Sequence, residues 1–175
     1  MSVKRIKLLV ISDSHGRADR VRELAARSQD AEAILFLGDG VRDLELIDPV
    51  PSRAVCAVRG NCDMFSLFSR ENNEFSEERF LTFENYHILM MHGHTKGVKG
   101  GLENALSYAY SRGADILLFG HTHIPLEKYF PVGSVVDGIT LERPMYAFNP
   151  GSLGESSFGY IEIRGKDILF SHGRL

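Results

Sequence analysis

The residues best suited to chemistry stand in five short clusters: Asp13-Ser14-His15, Gly38-Asp39, Gly60-Asn61-Cys62-Asp63, His92-Gly93-His94 and Gly120-His121-Thr122-His123. Their carboxylates, imidazoles and single carboxamide suit borderline-to-hard divalent ions such as Mn, Fe, Co, Ni or Zn. A closed structural zinc site would draw on paired cysteines instead. The only cysteines, Cys56 and Cys62, form neither such a pair nor a disulfide framework. Five of the seven histidines fall in the clusters; His87 and His172 carry no pattern and read as structural or exposed. Each cluster alone is a weak signal. Asp at a strand end often caps a helix, and His121-x-His123 could be two loop histidines. The joint pattern carries the argument. Asp can bridge two metals, and ions about 3.5–4 Å apart can hold both the attacking and leaving oxygens of a phosphoryl displacement.

Every cluster follows an apolar run: Lys7–Ile11, Ile34–Leu37, Ala54–Val58, Ile88–Met91 and Ile116–Phe119. A sixth run, Tyr146-Ala147-Phe148, precedes Asn149-Pro150-Gly151-Ser152. Runs of this length and composition read as strands buried on both faces. Strands that all end in ligand-type residues assemble one site from distant stretches of chain. Between them, Arg17 to Gln29 places Ala18, Val21, Leu24 and Ala25 on one helical face. A shorter helix is expected from Gly40 to Ile47, stopped by Pro49. A third carries Leu102, Ala105, Leu106, Ala109 and Tyr110 on one side, with Gly113 as its C-terminal cap. The alternation over the first 60 residues suggests parallel crossovers. Three hairpins are expected further on, turning at Glu84-Asn85-Tyr86, Pro131-Val132-Gly133 and Arg164-Gly165-Lys166. The polar, acidic 66–79 stretch reads as a loop over one edge of the site. The expected fold is α/β: two packed mixed β-sheets flanked by helices, in a single domain over 1–175.

A chain of 175 residues with 43% hydrophobic content can bury a sizeable core. Net charge is −3 with scattered basic residues, which argues against a nucleic-acid binder or an anionic-membrane binder. A phosphorylated substrate would then be held by bound metal. No signal peptide or membrane span is read, so a reduced cytoplasmic location is expected. The hairpins leave room for a homodimer or higher oligomer.

In their order and spacing, Asp-x-His, Gly-Asp, Gly-Asn-x-Asp, Gly-His and Gly-His-x-His resemble the calcineurin-like metallophosphoesterase family. Chain length and the Gly-Asn-Cys-Asp variant resemble its small single-domain phosphodiesterases. The resemblance runs from Asp13 to about Ser152. It implies that Asp13, His15 and His123 hold one metal, that Asn61, His92 and His121 hold a second, and that Asp39 bridges them. It implies manganese first, with nickel, cobalt, iron or zinc as alternatives, and a bridging hydroxide as nucleophile. It also brings Asp39 and Asn61 into the catalytic set.

One position departs from the pattern. Many relatives carry His after the Asn of the third motif, serving the leaving group; here it is Cys62. A thiol is a weaker hydrogen-bond donor, with an ordinary pKa near 8.5. His94 is the nearest substitute by motif, and a supporting or structural role for it stays open. Asp63 is expected to hydrogen-bond a neighbouring loop, the Asn149 loop to shape the floor of the site, Arg17 to be a solvated helix-start residue and Cys56 a small buried hydrophobe. The substrate expected is a small phosphate ester, most readily a diester. The rivals are a phosphomonoesterase, a non-catalytic scaffold resembling the retromer subunit, and a nuclease.

Overall fold

The computed structural model describes residues 4–44, 53–65 and 75–175. In chain order the main elements are β1 (Arg5–Ile11), α1 (Ala18–Arg27), β2 (Ala33–Phe36), α2 (Val41–Leu44), β3 (Ala54–Ala57), β4 (Glu78–Phe83), β5 (Tyr86–Met91) and α3 (Glu103–Ser111). They continue with β6 (Ile116–Leu118), β7 (Leu126–Phe130), β8 (Val135–Val136), β9 (Ile139–Thr140), β10 (Met145–Asn149), β11 (Ser157–Arg164) and β12 (Asp167–Arg174). One five-stranded sheet runs β12-β11-β1-β2-β3 and the other β4-β5-β6-β10-β7. The six strands that carry motifs form a parallel trio in each sheet: β1, β2, β3 and β5, β6, β10. Antiparallel strands flank both trios. Parallel strands end at the same edge of their sheet, so each trio delivers its three motifs to one edge.

Side-chain alternation builds the layers. Leu8, Val10 and Leu35 of the first sheet pack against Ile88, Met90, Ile116, Leu118 and Phe148 of the second. Leu9, Ile11, Ile34 and Phe36 face the other way, onto Val21, Leu24 and Ala25 of α1. Leu89, Met91 and Leu117 likewise meet Ala105, Leu106 and Ala109 of α3. The result is helix, sheet, sheet, helix, as expected from the sequence. α3 ends as expected too: Gly113 has φ +85°, and the Gly113 and Ala114 N–H groups bond the Tyr110 and Ala109 carbonyls.

Some expectations change. The turn at Pro131-Val132-Gly133 does not join two paired strands: β7 pairs with β10. Ser134 to Thr140 is itself a small hairpin, β8 against β9, turning at Asp137-Gly138. An Asp-Gly pair at positive φ is the usual two-residue hairpin turn, and it interrupts what the apolar pattern presents as one strand. β3 is not buried on both faces, because it is the edge strand of its sheet; Val55 is 49% exposed and Cys56 only partly buried. Glu78 and Arg79 belong to β4 rather than to the acidic loop. Residues 66–74 of that loop, and the end of the second expected helix, with Ile47 and Pro49, lie outside the described residues.

Phe148 is fully buried between the sheets, with ring neighbours Phe170 and His172. Phe148→Ala is expected to lower stability by about 3–5 kcal/mol through lost burial and a cavity. Leu169→Ala, at a residue 60% exposed, should stay within about 0.5 kcal/mol. Urea denaturation of the two variants beside the parent checks both figures.

Candidate metal centre

The residues after the six strands converge. His15 Nε2 and His123 Nε2 lie 3.1 Å apart, and each faces Asp13 Oδ1, at 3.7 and 3.2 Å. His92 Nε2 lies 3.3 Å from Asp39 Oδ2 and 3.9 Å from the same Asp13 oxygen. Metal-competent donors gather as Asp13, His15 and His123, and as Asp39, His92 and His121. Asp39 also gathers with His15 and Cys62, so its carboxylate stands between the two groups. Asn61 heads a 3₁₀ turn, Asn61–Phe65, and its amide donates to Cys62 Sγ at 3.4 Å. His94 adjoins the cluster, its ring 5.4 Å from that of His92.

The local backbone is unusual. Asp13, His15, Asp39, His121 and His123 all have φ between +48° and +66°. They are five of the eight non-glycine residues with positive φ among those described. Asp and His tolerate this region better than most residues. The cost, on the order of 1–3 kcal/mol each, persists only where the surroundings over-determine the conformation. Glycines let the loops close on one another. A Cβ at Gly60 would collide with Asp39, and one at Gly120 with Ser12.

Hydrogen bonds aim each donor. Asp13 Oδ2 accepts from Ser12 Oγ at 2.5 Å and from the His121 N–H at 3.0 Å, leaving Oδ1 to the cluster. Asp39 Oδ1 accepts from the Cys62 N–H at 2.7 Å, leaving Oδ2. His92 Nδ1 donates to the Leu37 carbonyl at 2.7 Å. A carbonyl only accepts, so Nδ1 carries a proton and Nε2 is the atom turned to the carboxylates. Ser152 Oγ donates to the Asp13 carbonyl, and the Asn149 amide to Gly120 O and Thr122 Oγ1. The Asn149 loop thus braces the first and fifth motifs, a more specific task than shaping a floor. Asp63 accepts from four backbone N–H groups, those of Asp39, Gly40, Val41 and Gly60, at 2.8–3.1 Å. It joins the loop after β2 to the loop after β3, in line with its expected role. Arg17 pairs with Asp19 in solvent, as expected.

This donor set fits cations. Asp13 Oδ1 and His92 Nε2 are buried and hydrogen-bonded to nothing among the described residues. A buried polar atom without a partner is costly, and an imidazole nitrogen set against two carboxylates calls for positive charge between them. Burial raises the Asp13 carboxyl above its usual range, against the pull of His92. Burial would also raise Asp39, but His92 and the Cys62 N–H outweigh it and hold Asp39 well below the usual carboxylate range. His92 would be lowered by burial, yet the two carboxylates raise it. Burial, then His92 and Lys99, push His121 down to about 4, and burial with His92 also lowers His94. Cys62 is pushed up to about 11, first by burial and then by Asp39. The thiol is therefore a weaker acid than its ordinary pKa implies.

Sequence reasoning missed three residues beside the cluster. Glu155 Oε1 lies 3.5 Å from His123 Nδ1, and His172 and Arg174 line an adjoining cavity. None stands in a motif, and β12 reaches the site only through sheet pairing.

Comparison with known proteins agrees with the geometry. The family model for the calcineurin-like phosphoesterase superfamily domain matches residues 6–164. The chain is 33% identical over 148 residues to a probable metallophosphoesterase, YsnB, of Bacillus subtilis, covering 85% of this chain and 75% of that protein. It is 29% identical over 168 residues to the phosphodiesterase YfcE of Escherichia coli, covering 85% and 79%. Among solved structures, Vps29 of Chaetomium thermophilum superposes with a TM-score of 0.72 at 17% identity, covering 97% of this chain and 87% of that one, a likeness of fold. The chain belongs to the calcineurin-like phosphoesterase superfamily.

Asp63→Asn leaves one acceptor oxygen for four backbone donors. It should lower unfolding free energy by about 2–3 kcal/mol, since hydrogen bonds to charged groups are among the stronger ones. Urea denaturation measures the change, and a loss below about 0.5 kcal/mol would contradict the bracing role.

Proposed function

We propose that this protein is a metal-dependent phosphoesterase acting chiefly on phosphodiesters. The observation that carries the reading is the convergence of two buried, unpartnered atoms, Asp13 Oδ1 and His92 Nε2, with the Nε2 atoms of His15 and His123. Asp13, His15 and His123 would hold one divalent ion and Asn61, His92 and His121 another, with Asp39 between them. Manganese is the first choice. Such a pair supplies positive charge for phosphoryl oxygens and an activated water at neutral pH. Relatives carry the names metallophosphoesterase and phosphodiesterase, which supports the reaction class.

The chain's own contribution is placement. Ser12, the His121 N–H and Ser152 fix the Asp13 motif; the Cys62 N–H fixes Asp39; Leu37 fixes the tautomer of His92. Low proton affinity at His121 keeps its imidazole in the neutral, ligating form. With no metal charge beside it Cys62 is pushed up to about 11, and a thiol is in any case a weak hydrogen-bond donor to a departing alkoxide. Burial and His92 lower the proton affinity of His94, which leaves less imidazolium there to give a proton. Help for the leaving group is therefore weak, and esters of acidic alcohols are the better substrates. A non-catalytic scaffold has no need of a complete, pre-aimed donor set, which favours the enzyme over that rival. No helix among the described residues is long and apolar enough to cross a membrane, and a small water-soluble ester fits the open site.

Two outcomes are expected. Manganese-loaded protein should hydrolyse bis-p-nitrophenyl phosphate, and Asp39→Ala should reduce kcat/KM by at least about 10³-fold, within the range for losing a main electrostatic contributor. Retained activity in that variant would sink the bridging assignment. Across aryl and alkyl diesters of rising leaving-group pKa, rates should fall steeply, and Cys62→His should flatten the slope. Equal rates across the series would remove the role assigned to Cys62.

A further inference from the structure

A phosphodiester carries two carbon substituents, and each needs space beside the donor cluster. A cavity of about 290 Å³ opens beside it, walled by His123, Pro125, Glu155, Ser157, His172 and Arg174. This is the small end of the range for ligand pockets, about 300–1,000 Å³. Its walls come from the loop after β6, the 3₁₀ turn Leu153–Glu155, the start of β11 and β12.

The walls are held in place. Ser157 Oγ donates to the Pro150 carbonyl at 2.7 Å. The Leu153–Glu155 turn is gripped by Arg20, which donates to the Leu153 and Gly154 carbonyls. His172 stacks on Phe148 with ring centroids 4.6 Å apart, and its Nε2 donates to the Asn149 carbonyl at 2.8 Å. A carbonyl only accepts, so His172 carries a proton on Nε2. Arg174 makes one long bond, 3.5 Å to the Glu155 carbonyl, and no ion pair among the described residues.

The cavity therefore presents a cationic donor, Arg174, an anionic acceptor, Glu155, the imidazole of His172 and an apolar face, Pro125. A substituent with a second phosphate or a carboxylate would meet Glu155. An ammonium would meet Arg174. Neighbouring hydroxyls use both groups, since a hydroxyl donates and accepts. Cys62, standing where relatives serve the leaving group, is not among the walls. We propose that this cavity binds the substituent that stays on phosphorus, and that this substituent is a neutral polyol the size of glycerol or one pentose. The proposal rests on the phosphodiesterase reading.

Two diesters with the same leaving group separate the ideas: glyceryl p-nitrophenyl phosphate and methyl p-nitrophenyl phosphate, with manganese-loaded protein. In both, water adds to phosphorus and the bond to nitrophenolate breaks. The ratio of kcat/KM for the two esters is independent of the active fraction in each preparation. The parent should favour the glyceryl ester at least tenfold. Arg174→Ala and Glu155→Ala should each bring the ratio to within about threefold of unity. No preference in the parent, or an unchanged ratio in both variants, overturns the polyol site alone. Stronger turnover of a matched ester whose retained group carries a second phosphate overturns the neutral-polyol assignment. No turnover of either ester by the parent overturns the phosphodiesterase reading and the polyol site with it.

Discussion

Asp13 has no exposed surface, and a buried carboxylate must be hydrogen-bonded or sit beside positive charge. Its two oxygens are treated differently. One is satisfied by Ser12 and the His121 N–H, and the other points, unpartnered, at three imidazoles. Much of the local structure follows from holding that arrangement. The left-handed backbone at Asp13 and His15 turns the chain sharply off β1. The Asn149 loop crosses behind it, and Gly120 lets the fifth motif approach. Removing this carboxylate would leave those supports with nothing to position.

The same constraint accounts for the architecture. Asp13, His15, Asp39, His92, His121 and His123, from four motifs, meet within a few ångströms, and parallel strands are an economical way to bring distant segments to one edge. Each sheet supplies three such strands, and the packed layers between them hold the two edges together. Fully buried strands tolerate little movement. Loops anchored on them can therefore keep residues at positive φ that would relax in a freer setting.

Much of this is legible in the sequence because two signals coincide. A four- or five-residue apolar run marks each buried strand, and a polar motif with Gly marks where it ends. Asp13, His15, Asp39, His92, His121 and His123 emerge from that coincidence and do come together in space. The first parallel trio follows from the helices between its strands, whereas β6 and β10 are joined through β7, β8 and β9 with no helix between them. What the sequence hides is whatever depends on sheet pairing. β7 lies beside β10 because of a register that no local pattern encodes. β12 carries His172 and Arg174 to the site through two antiparallel neighbours, β11 and β1. Asp137-Gly138 was open to reading as a turn, but apolar residues on both sides favoured a single strand. The edge position of β3 was likewise invisible from its composition.

Cys62 is where sequence and structure inform each other most. From the sequence it is a histidine replaced by a thiol with an ordinary pKa. In the fold, burial and the carboxylates of Asp39, Asp63 and Asp13 drive that pKa upward. Those same carboxylates would stabilise a protonated imidazole at this position, so a histidine there would gain proton affinity where the thiol loses acidity. The electrostatic setting that favours cations thus has opposite consequences for the two side chains. Its backbone task is independent of the side chain, because the Cys62 N–H holds Asp39 whatever the residue carries. The position can therefore lose its proton-donating group while the donor set stays aligned. On the proposed function, a change here would therefore alter which esters are cleaved more than whether metals are held.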